Sequence, residues 1–183
     1  VGEQLNSEFT KIYSNLGELH NAWYGKRYNE LVLAFNNIIP QVNEILTLVE
    51  AEIPFALETV ANNYAQADKG QNVTTAVKEP IRRINNVTVP NDVGMKFITE
   101  TVTAMKNSIS NSFRNAKEQM NQFNAQFEKV QWQSEAANAF KAQFSKLKNE
   151  VVASFDNIET QFAKLMSQTL QDMQATESAN TVQ

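Results

Sequence analysis

The amino-acid sequence predicts an all-α fold, and three observations support this prediction. Apolar residues recur at alternating spacings of three and four residues along most of the 183-residue chain, which is the spacing of one face of an α-helix. Only five glycines and four prolines are present, so the chain has few places to turn. Apolar residues make up 42% of the composition, which is enough to bury a core. Together these features favour a few long helices that pack against one another.

Four apolar stripes predict four helices, near residues 3–22, 26–69, 92–130 and 135–175. The near-seven repeat within each stripe favours the shallow packing angles of helical bundles and coiled coils. The stripes contain Leu5, Phe9, Ile12, Leu16, Leu19 and Trp23; Tyr28, Leu31, Phe35, Ile38, Val42, Ile45 and Val49; Ile98, Val102, Met105, Ile109, Phe113, Met120, Phe123, Phe127 and Val130; and Phe140, Phe144, Leu147, Val151, Phe155, Ile158, Phe162 and Leu165.

The second predicted helix contains Pro40 and Pro54. Each proline removes a helical hydrogen bond and clashes with the carbonyl group four residues earlier, so we expect a bend or local break near both. The apolar register continues through Pro40. This favours one kinked helix there over two separate helices.

The segment between the second and third helices, residues 70–91, has the composition of a linker. It begins with Gly70, a suitable helix C-terminal cap, and Asn91 or Asp92 after Pro90 suits an N-cap. A helix of some 40 residues is roughly 60 Å long, and about 20 extended residues reach at most ~70 Å. The linker therefore has the length needed to run back along the second helix, as an antiparallel packing of two halves requires.

An internal repeat divides the chain into residues 1–69 and residues 92–183, each predicted to form a helical hairpin. When Trp23 is aligned with Trp132, the apolar stripes of the following helices coincide. The aligned pairs are Leu31 with Phe140, Phe35 with Phe144, Ile38 with Leu147, Val42 with Val151, Val49 with Ile158 and Ile53 with Phe162.

Each half carries its tryptophan at the predicted hairpin turn, followed two residues later by Gly25 in the first half and Ser134 in the second. Glycine takes a positive φ angle without steric cost, whereas serine can cap the start of the next helix with its hydroxyl group. The two residues are therefore expected to solve the same turn by different local chemistry. Trp23 and Trp132 are interpreted either as plugs at the ends of the core or as groups that face a partner.

The order helix, Trp-x-Gly, helix, in a unit of about a hundred residues, resembles the WXG family of small proteins exported by type VII secretion systems. The resemblance implies helical hairpins that pair antiparallel into an elongated four-helix bundle. Trp23 and Gly25 match the turn motif, and Ser134 departs from it. The second half is therefore interpreted as the partner-like half of a fused heterodimer.

Some members of this family carry a secretion signal, Tyr-x-x-x-Asp/Glu, after the second helix, and "YAQAD" places Tyr64 and Asp68 at that spacing. The second half has Met173 and Glu177 at the equivalent positions. Residues four apart share a helical face, so a receptor could contact the aromatic ring and the carboxylate together. The alternative is that Tyr64 extends the apolar stripe and Asp68 is a solvated acid.

The composition argues against several other function classes. The net charge is −4 without a basic stripe, so nucleic acid is not an expected partner. The chain has no cysteine and only one histidine, His20, so we expect no catalytic triad, no metal site and no cofactor. No apolar run approaches the roughly 20 residues of a membrane span. No signal-peptide pattern begins the sequence, so export is expected to depend on another signal.

The leading hypothesis is therefore a non-enzymatic, secreted, bacterial protein that is a type VII secretion substrate. Its expected partners are the secretion ATPase and a larger co-secreted effector that it would help to target. It is expected to be a monomer in which the two halves act as an intramolecular pseudo-dimer. Two alternatives stay open: a membrane-active protein with amphipathic helices, and an intracellular helical adaptor.

Overall fold

The computed structural model describes residues 2–54, 56–58, 84–129 and 134–180. Of these residues, 86% are helical, which is far above the helix content of an average globular domain. The prediction of an all-α fold is confirmed.

Five helices and one short strand pair make up the elements of the described residues. In chain order they are α1 (Gly2–Glu18) with a 3₁₀ turn (Leu19–Asn21), β1 (Trp23–Tyr24), α2 (Lys26–Asn37), α3 (Ile39–Thr47) with a π-helical turn (Leu48–Glu52), β2 (Lys96–Phe97), α4 (Thr99–Lys129) and α5 (Glu135–Asn180). No glycine or proline follows Gly94 in the sequence. This explains why α5 continues to Asn180, beyond its predicted end near residue 175.

The predicted apolar stripes form the hydrophobic core. Every predicted stripe residue of α1, α2 and α3 is buried, from Leu5 to Val49. On α5, every stripe residue from Phe144 to Leu165 is buried as well, and Phe140 is half-buried. Aromatic rings from three helices meet at the centre, where Phe155 stacks on Phe113 at 4.7 Å between centroids and on Phe9 at 6.0 Å.

Ring contacts fix the direction in which the helices run. α1 packs mainly against α4, while α2 and α3 pack against α5. Phe123 on α4 contacts Phe144, whereas Phe113 contacts Phe155. The earlier residue of α4, Phe113, thus contacts the later residue of α5, Phe155. The two helices therefore run antiparallel.

The second predicted helix is broken at Ile38 rather than merely kinked at Pro40. α2 ends at Asn37, and Pro40 lies in the first turn of α3, where a missing N–H group costs little. At the break, the Ile38 N–H group donates to the Phe35 carbonyl oxygen at 3.4 Å, which is long for such a hydrogen bond. The Tyr13 hydroxyl group donates to this carbonyl oxygen at 2.7 Å, and this bond from α1 compensates for the break.

A π-helical turn, Leu48–Glu52, precedes the second proline, Pro54. The Ile53 N–H group donates to the carbonyl oxygen of Leu48, five residues earlier. A wider turn of this kind moves the carbonyl groups that a proline ring would otherwise meet. The expected local break near Pro54 therefore takes the form of a π-helical turn.

The third helix begins at Thr99, seven residues later than the predicted start at residue 92. The reason is a contact between distant parts of the chain. Lys96 and Phe97 pair antiparallel with Tyr24 and Trp23, and extended backbone in such a pair cannot be helical at the same time. Ile98, which the helical stripe would bury, is consequently 45% exposed.

The described end of the linker, residues 84–90, is an extended segment that lies along α2 and α3; we call it the strap. Two asparagine side chains bind its backbone with paired hydrogen bonds. Asn43 accepts from the Ile84 N–H group at 2.7 Å and donates to the Ile84 carbonyl oxygen at 3.0 Å. Asn36 does the same with Val87, at 2.9 Å for both bonds. The strap therefore runs antiparallel to α2 and α3, toward Trp23.

Among the described helical residues, one stretch is long and apolar enough to cross a membrane by length and composition alone, Lys26–Glu58. Half of its most apolar window is buried inside the structure. Its stripe residues, such as Leu31 and Phe35, lie in the core. A core helix of a bundle passes the same test, and packing between helices accounts for the burial of these stripe residues.

Candidate functional site

The corner between α1 and α2, residues 22–28, is the candidate functional site. Trp23 is 1% exposed and lies among three other rings. Its ring meets Phe97 edge-on at 5.3 Å, and lies 5.9 Å from Phe162 of α5 and from Tyr28 of α2. The indole thus contacts the second half of the chain at two places, before α4 through Phe97 and within α5 through Phe162. It acts as a plug in the core.

Gly25 gives this corner its backbone geometry. Its φ angle is 134° and its ψ angle is −175°, a combination that residues with a side chain essentially do not adopt. A Cβ atom at this position would lie 3.5 to 3.6 Å from Met95 and from the Gly94 carbonyl oxygen, which is ordinary van der Waals contact, so it is the φ angle that requires glycine. Because Gly25 turns the chain at once, α2 begins at Lys26 while Trp23 still faces the core.

The strand pair next to Gly25 holds the corner to the start of α4. Trp23 lies opposite Phe97, and Tyr24 lies opposite Lys96. The Ile98 N–H group extends the ladder by donating to the Ala22 carbonyl oxygen at 2.8 Å. Backbone hydrogen bonds therefore connect the two halves at a point where the sequence pattern predicts a turn in the first half and a helix in the second.

Two tyrosines bind α1 and α2 to each other through opposite helix ends. The Tyr28 hydroxyl group donates at 2.6 Å to the Leu16 carbonyl oxygen, one of the last carbonyl groups of α1, which lack helical donors. Tyr13 serves Phe35 in the same way at the end of α2. Burial raises the pKa of Tyr28 to about 12 and raises the pKa of Tyr13 as well. Both phenols are therefore neutral donors at physiological pH.

Charged side chains surround the corner at its surface. The His20 Nε2 atom is hydrogen-bonded to the carboxylate of Asp92, just after the linker, and the His20 ring lies 5.8 Å from that of Tyr28. On the other side, Arg27 donates to Asp172 at 3.0 Å and to Gln168 at 2.7 Å, both on α5. These contacts attach the corner to the segment between the linker and β2, and to α5, by polar groups.

A cavity of about 260 Å³ opens beside the corner. It is lined by Trp23, Tyr24, Gly25, Lys26, Arg27, Gly94, Met95, Thr169 and Asp172. Its walls combine aromatic rings with one acid and two bases. The cavity is smaller than a typical small-molecule site, so it is better suited to one side chain of a partner than to a cofactor.

The second corner is described from Ser134 onward, and Trp132 lies outside the described residues. The Ser134 side-chain oxygen accepts a hydrogen bond from the Ala137 N–H group at 3.1 Å. This is the geometry of a helix N-cap, and α5 begins directly after it, at Glu135. Ser134 therefore starts a helix, whereas Gly25 turns the chain.

The predicted secretion signal, Tyr64 and Asp68, also lies outside the described residues. At the equivalent positions of the second half, Met173 is half-buried against the core and Glu177 is exposed. This half thus presents a carboxylate at its surface without an aromatic ring beside it.

No group of three or more histidine, aspartate or glutamate side chains that could hold a metal ion lies within residues 2–54, 56–58, 84–129 and 134–180. Comparisons of this chain with protein-family models, with curated proteins and with solved structures found no match. A function is therefore inferred from the residues of this chain and from their geometry.

Sequence reasoning missed several residues that form the corner and the strap. Phe97 was not among the predicted stripe residues, and neither was Tyr13. The asparagines that bind the strap also lie outside the predicted stripes. Their spacing was the available signal, since Asn29, Asn36 and Asn43 recur every seven residues and hence share one helical face.

Proposed function

We propose that this chain is a non-enzymatic, exported helical-bundle protein and a substrate of a type VII secretion system. The observation that carries the proposal is the Trp23-x-Gly25 corner. Its tryptophan is buried against Phe97 and Phe162 of the second half, and its glycine has a conformation that suits glycine alone. The motif that carries the resemblance to the WXG family thus has a physical role in this chain.

The proposed architecture is two helical hairpins packed antiparallel into an elongated four-helix bundle. One hairpin consists of α1 with α2 and α3, and the other consists of α4 with α5. Trp23 contacts Phe162, while Phe35 contacts Phe155, so α2 runs opposite to α5. Such contacts support a fused pair, in which one chain supplies both halves of a dimer. The expected species in solution is a monomer of 20.6 kDa.

The proposed partners are the secretion ATPase and a larger effector secreted with this chain. The resemblance assigns the contact with the secretion apparatus to Tyr64 and Asp68. Because residues four apart share a helical face, one groove of a receptor could bind the ring and the carboxylate together. The second half, with Met173 and Glu177 at these positions, would then serve as the packing partner.

An export assay in a host with an intact type VII system tests the proposal. We expect Tyr64→Ala and Asp68→Ala to reduce the amount of protein in the medium severalfold while the amount in the cells is kept or rises. Gln66→Ala is the matched control, because a helix that presented Tyr64 and Asp68 on one face would place residue 66 on the opposite face. Tyr64→Phe separates the need for a ring from the need for a hydroxyl group.

Equal export of the wild type, Tyr64→Ala and Asp68→Ala would remove the assignment of the signal. Absence of any export that depends on the secretion ATPase would remove the proposed function itself. A host strain that lacks the ATPase distinguishes these two results.

A membrane-active protein is the second candidate, and the apolar stretch Lys26–Glu58 favours it. The stripe residues of this stretch face the core, so the bundle would have to open before they could contact lipid. Leakage of dye from liposomes, measured at neutral and at acid pH, tests this candidate. Intact liposomes under both conditions would eliminate it.

A further inference from the structure

The strap, residues 84–90, is bound by asparagine side chains in a regular pattern. Asn43 and Asn36 each bind both backbone groups of one strap residue, Ile84 and Val87. Between these two residues, Asn85 and Asn86 make no backbone hydrogen bond within the described part of the chain. The asparagines therefore bind every third residue of the strap.

The pattern follows from two repeat distances. Seven residues of an α-helix advance roughly 10.5 Å at ~1.5 Å per residue. Three residues of extended chain advance about 9.3 to 10 Å, at ~3.1 Å per residue in polyproline II and ~3.3 Å in a strand. Asparagines seven apart on a helix therefore match every third residue of an extended chain to within about 1 Å. Any extended segment can adopt this register, because the bonds go to its backbone.

Pro90 lies opposite the third asparagine, Asn29, and its pairing is incomplete. The Asn29 side chain donates to the Pro90 carbonyl oxygen at 3.3 Å. Proline has no N–H group to return. The Asn29 side-chain oxygen is buried, and no residue in the described ranges donates to it. The site thus has a third position that a residue other than proline would fill more completely.

The side chains of the strap indicate a second requirement for a segment that binds at this site. Ile84 is 7% exposed and belongs to the hydrophobic core, and Val87 packs against the core as well. The residues between them, Asn85 and Asn86, are exposed. An extended segment with an apolar residue at every third position meets both requirements.

We propose that Asn29, Asn36 and Asn43 form a peptide-binding site on α2 and α3, which the strap occupies as a tethered ligand. The site recognises an extended segment with apolar residues three apart and with a free N–H group at two of these positions. Free peptides of this chemistry compete for it. This site does not depend on the proposed export function.

Amide hydrogen exchange in the full chain, followed by NMR, tests the occupied state. We expect slow exchange at Ile84 and Val87 and fast exchange at Asn85, Asn86 and Thr88. Replacing one asparagine removes two hydrogen bonds to one strap residue, which corresponds to roughly tenfold faster exchange there.

Two variants and one control separate this effect from general destabilisation. Asn36→Ala should accelerate hydrogen exchange at the Val87 amide more than at the Ile84 amide. Asn43→Ala should accelerate exchange at the Ile84 amide more. Asn37→Ala is the control, because Asn37 is an exposed neighbour on the same helix. It should change neither amide.

Binding in trans tests the site itself. In the full-length double variant Ile84→Pro/Val87→Pro, the strap has lost both N–H groups and should leave the site. A synthetic peptide of residues 84–92 should then bind with a Kd on the order of 0.1 to 1 mM. It should bind the wild type roughly 2- to 10-fold more weakly, because the tethered strap competes at an effective concentration on the order of millimolar.

The peptide controls use the same two positions. A peptide with proline in place of Ile84 and Val87 should not bind, and adding Asn36→Ala and Asn43→Ala to the receptor should abolish binding of the normal peptide. Circular dichroism verifies that every receptor is folded. Uniform exchange along the strap, or a folded double variant that binds neither peptide, would overturn the proposal.

Discussion

The two corners of the chain place a tryptophan at the same offset and close their turns by different chemistry. At the first corner, Gly25 has a φ angle of 134°. At the second corner, the Ser134 side chain accepts from the Ala137 N–H group and caps α5. One residue changes the direction of the chain, and the other starts a helix.

The difference follows from what each corner contacts. The backbone before Gly25 is held extended by its pairing with Lys96 and Phe97, and α2 begins immediately after it. Only a residue without a side chain can join a paired strand to a helix in one step at this φ angle. Ser134 is exposed and needs only to satisfy the first N–H groups of its helix. A glycine is thus required by docking between the halves, whereas a serine suffices for a cap.

The largest effect is expected at the ring that the first corner buries. Trp23→Ala removes a 1% exposed side chain with three ring contacts. We expect a loss of about 3 to 5 kcal/mol in the free energy of unfolding, measured by chemical denaturation. Leu33→Ala is the control, because Leu33 is 51% exposed and its truncation should cost less than about 0.5 kcal/mol. Equal losses in the two variants would contradict the assignment of Trp23 to the core.

Exchanging the two turn residues tests the comparison itself. Gly25→Ser places a side chain at a φ angle of 134° and should cost about 1 to 3 kcal/mol. Ser134→Gly should cost only a few tenths of a kcal/mol, because glycine is itself tolerated at an N-cap. Ser134→Ala, which leaves the first turn of α5 uncapped, should cost about 1 kcal/mol. The comparison fails if Gly25→Ser is as mild as Ser134→Gly in thermal or chemical denaturation.

The helices and their buried faces could be predicted from the sequence because both depend on local periodicity. The stripe from Tyr28 to Val49 shows this, since all seven of its predicted residues are buried. The start of α4 could not be predicted in the same way. It is set by the pairing of Phe97 with Trp23, 74 positions earlier in the chain, and no local pattern contains that information.

The candidate site could be predicted only in part for a similar reason. Trp23 and Gly25 were found because they form a short motif. Asn36 and Asn43 were missed, since a helix with asparagines on its polar face looks the same whether or not another segment lies on it. Tyr13 was missed because its role arises from the break at Ile38, which the continuous apolar register concealed.

The hydrogen bond between Tyr28 and the end of α1 should give a smaller effect than Gly25→Ser at its most severe. Tyr28→Phe leaves the buried Leu16 carbonyl oxygen without its donor, and we expect a loss of about 1 to 2 kcal/mol. Tyr24→Phe is the matched control, because Tyr24 belongs to the same corner and is only half-buried. It should be close to neutral in denaturation experiments at pH 7.

The same hydroxyl group also predicts a dependence on pH. Burial raises the pKa of Tyr28 to about 12, while an unfolded tyrosine has a pKa of about 10. The native state therefore keeps its proton where the unfolded state loses it, so stability falls as the pH rises from about 10 toward 12. Tyr28→Phe should flatten this fall in part, with the remainder due to Tyr13. If the slope of stability against pH is unchanged in Tyr28→Phe, a group other than Tyr28 causes the fall.

The smallest effects are expected from two cations, Lys141 near the second corner and Arg27 at the first. Lys141 of α5 lies 3.8 Å from Glu128 and 5.7 Å from the ring centre of Phe127, and Lys141→Met should cost about 0.5 kcal/mol. Arg27→Met should cost about 1 kcal/mol, since Arg27 donates both to the Asp172 carboxylate and to Gln168.

Salt distinguishes these two cations. In 1 M salt the charge attraction is screened, so the cost of Lys141→Met should almost vanish. Part of the cost of Arg27→Met should persist, because the hydrogen bond to the neutral Gln168 side chain does not depend on an opposite charge. The first corner is held by hydrogen bonds between the two halves of the chain, whereas the second depends on a helix cap and a surface charge. The contribution of the first corner to stability should therefore depend less on salt concentration. Denaturation of both variants at low and high salt measures this difference, and equal salt sensitivity would remove it.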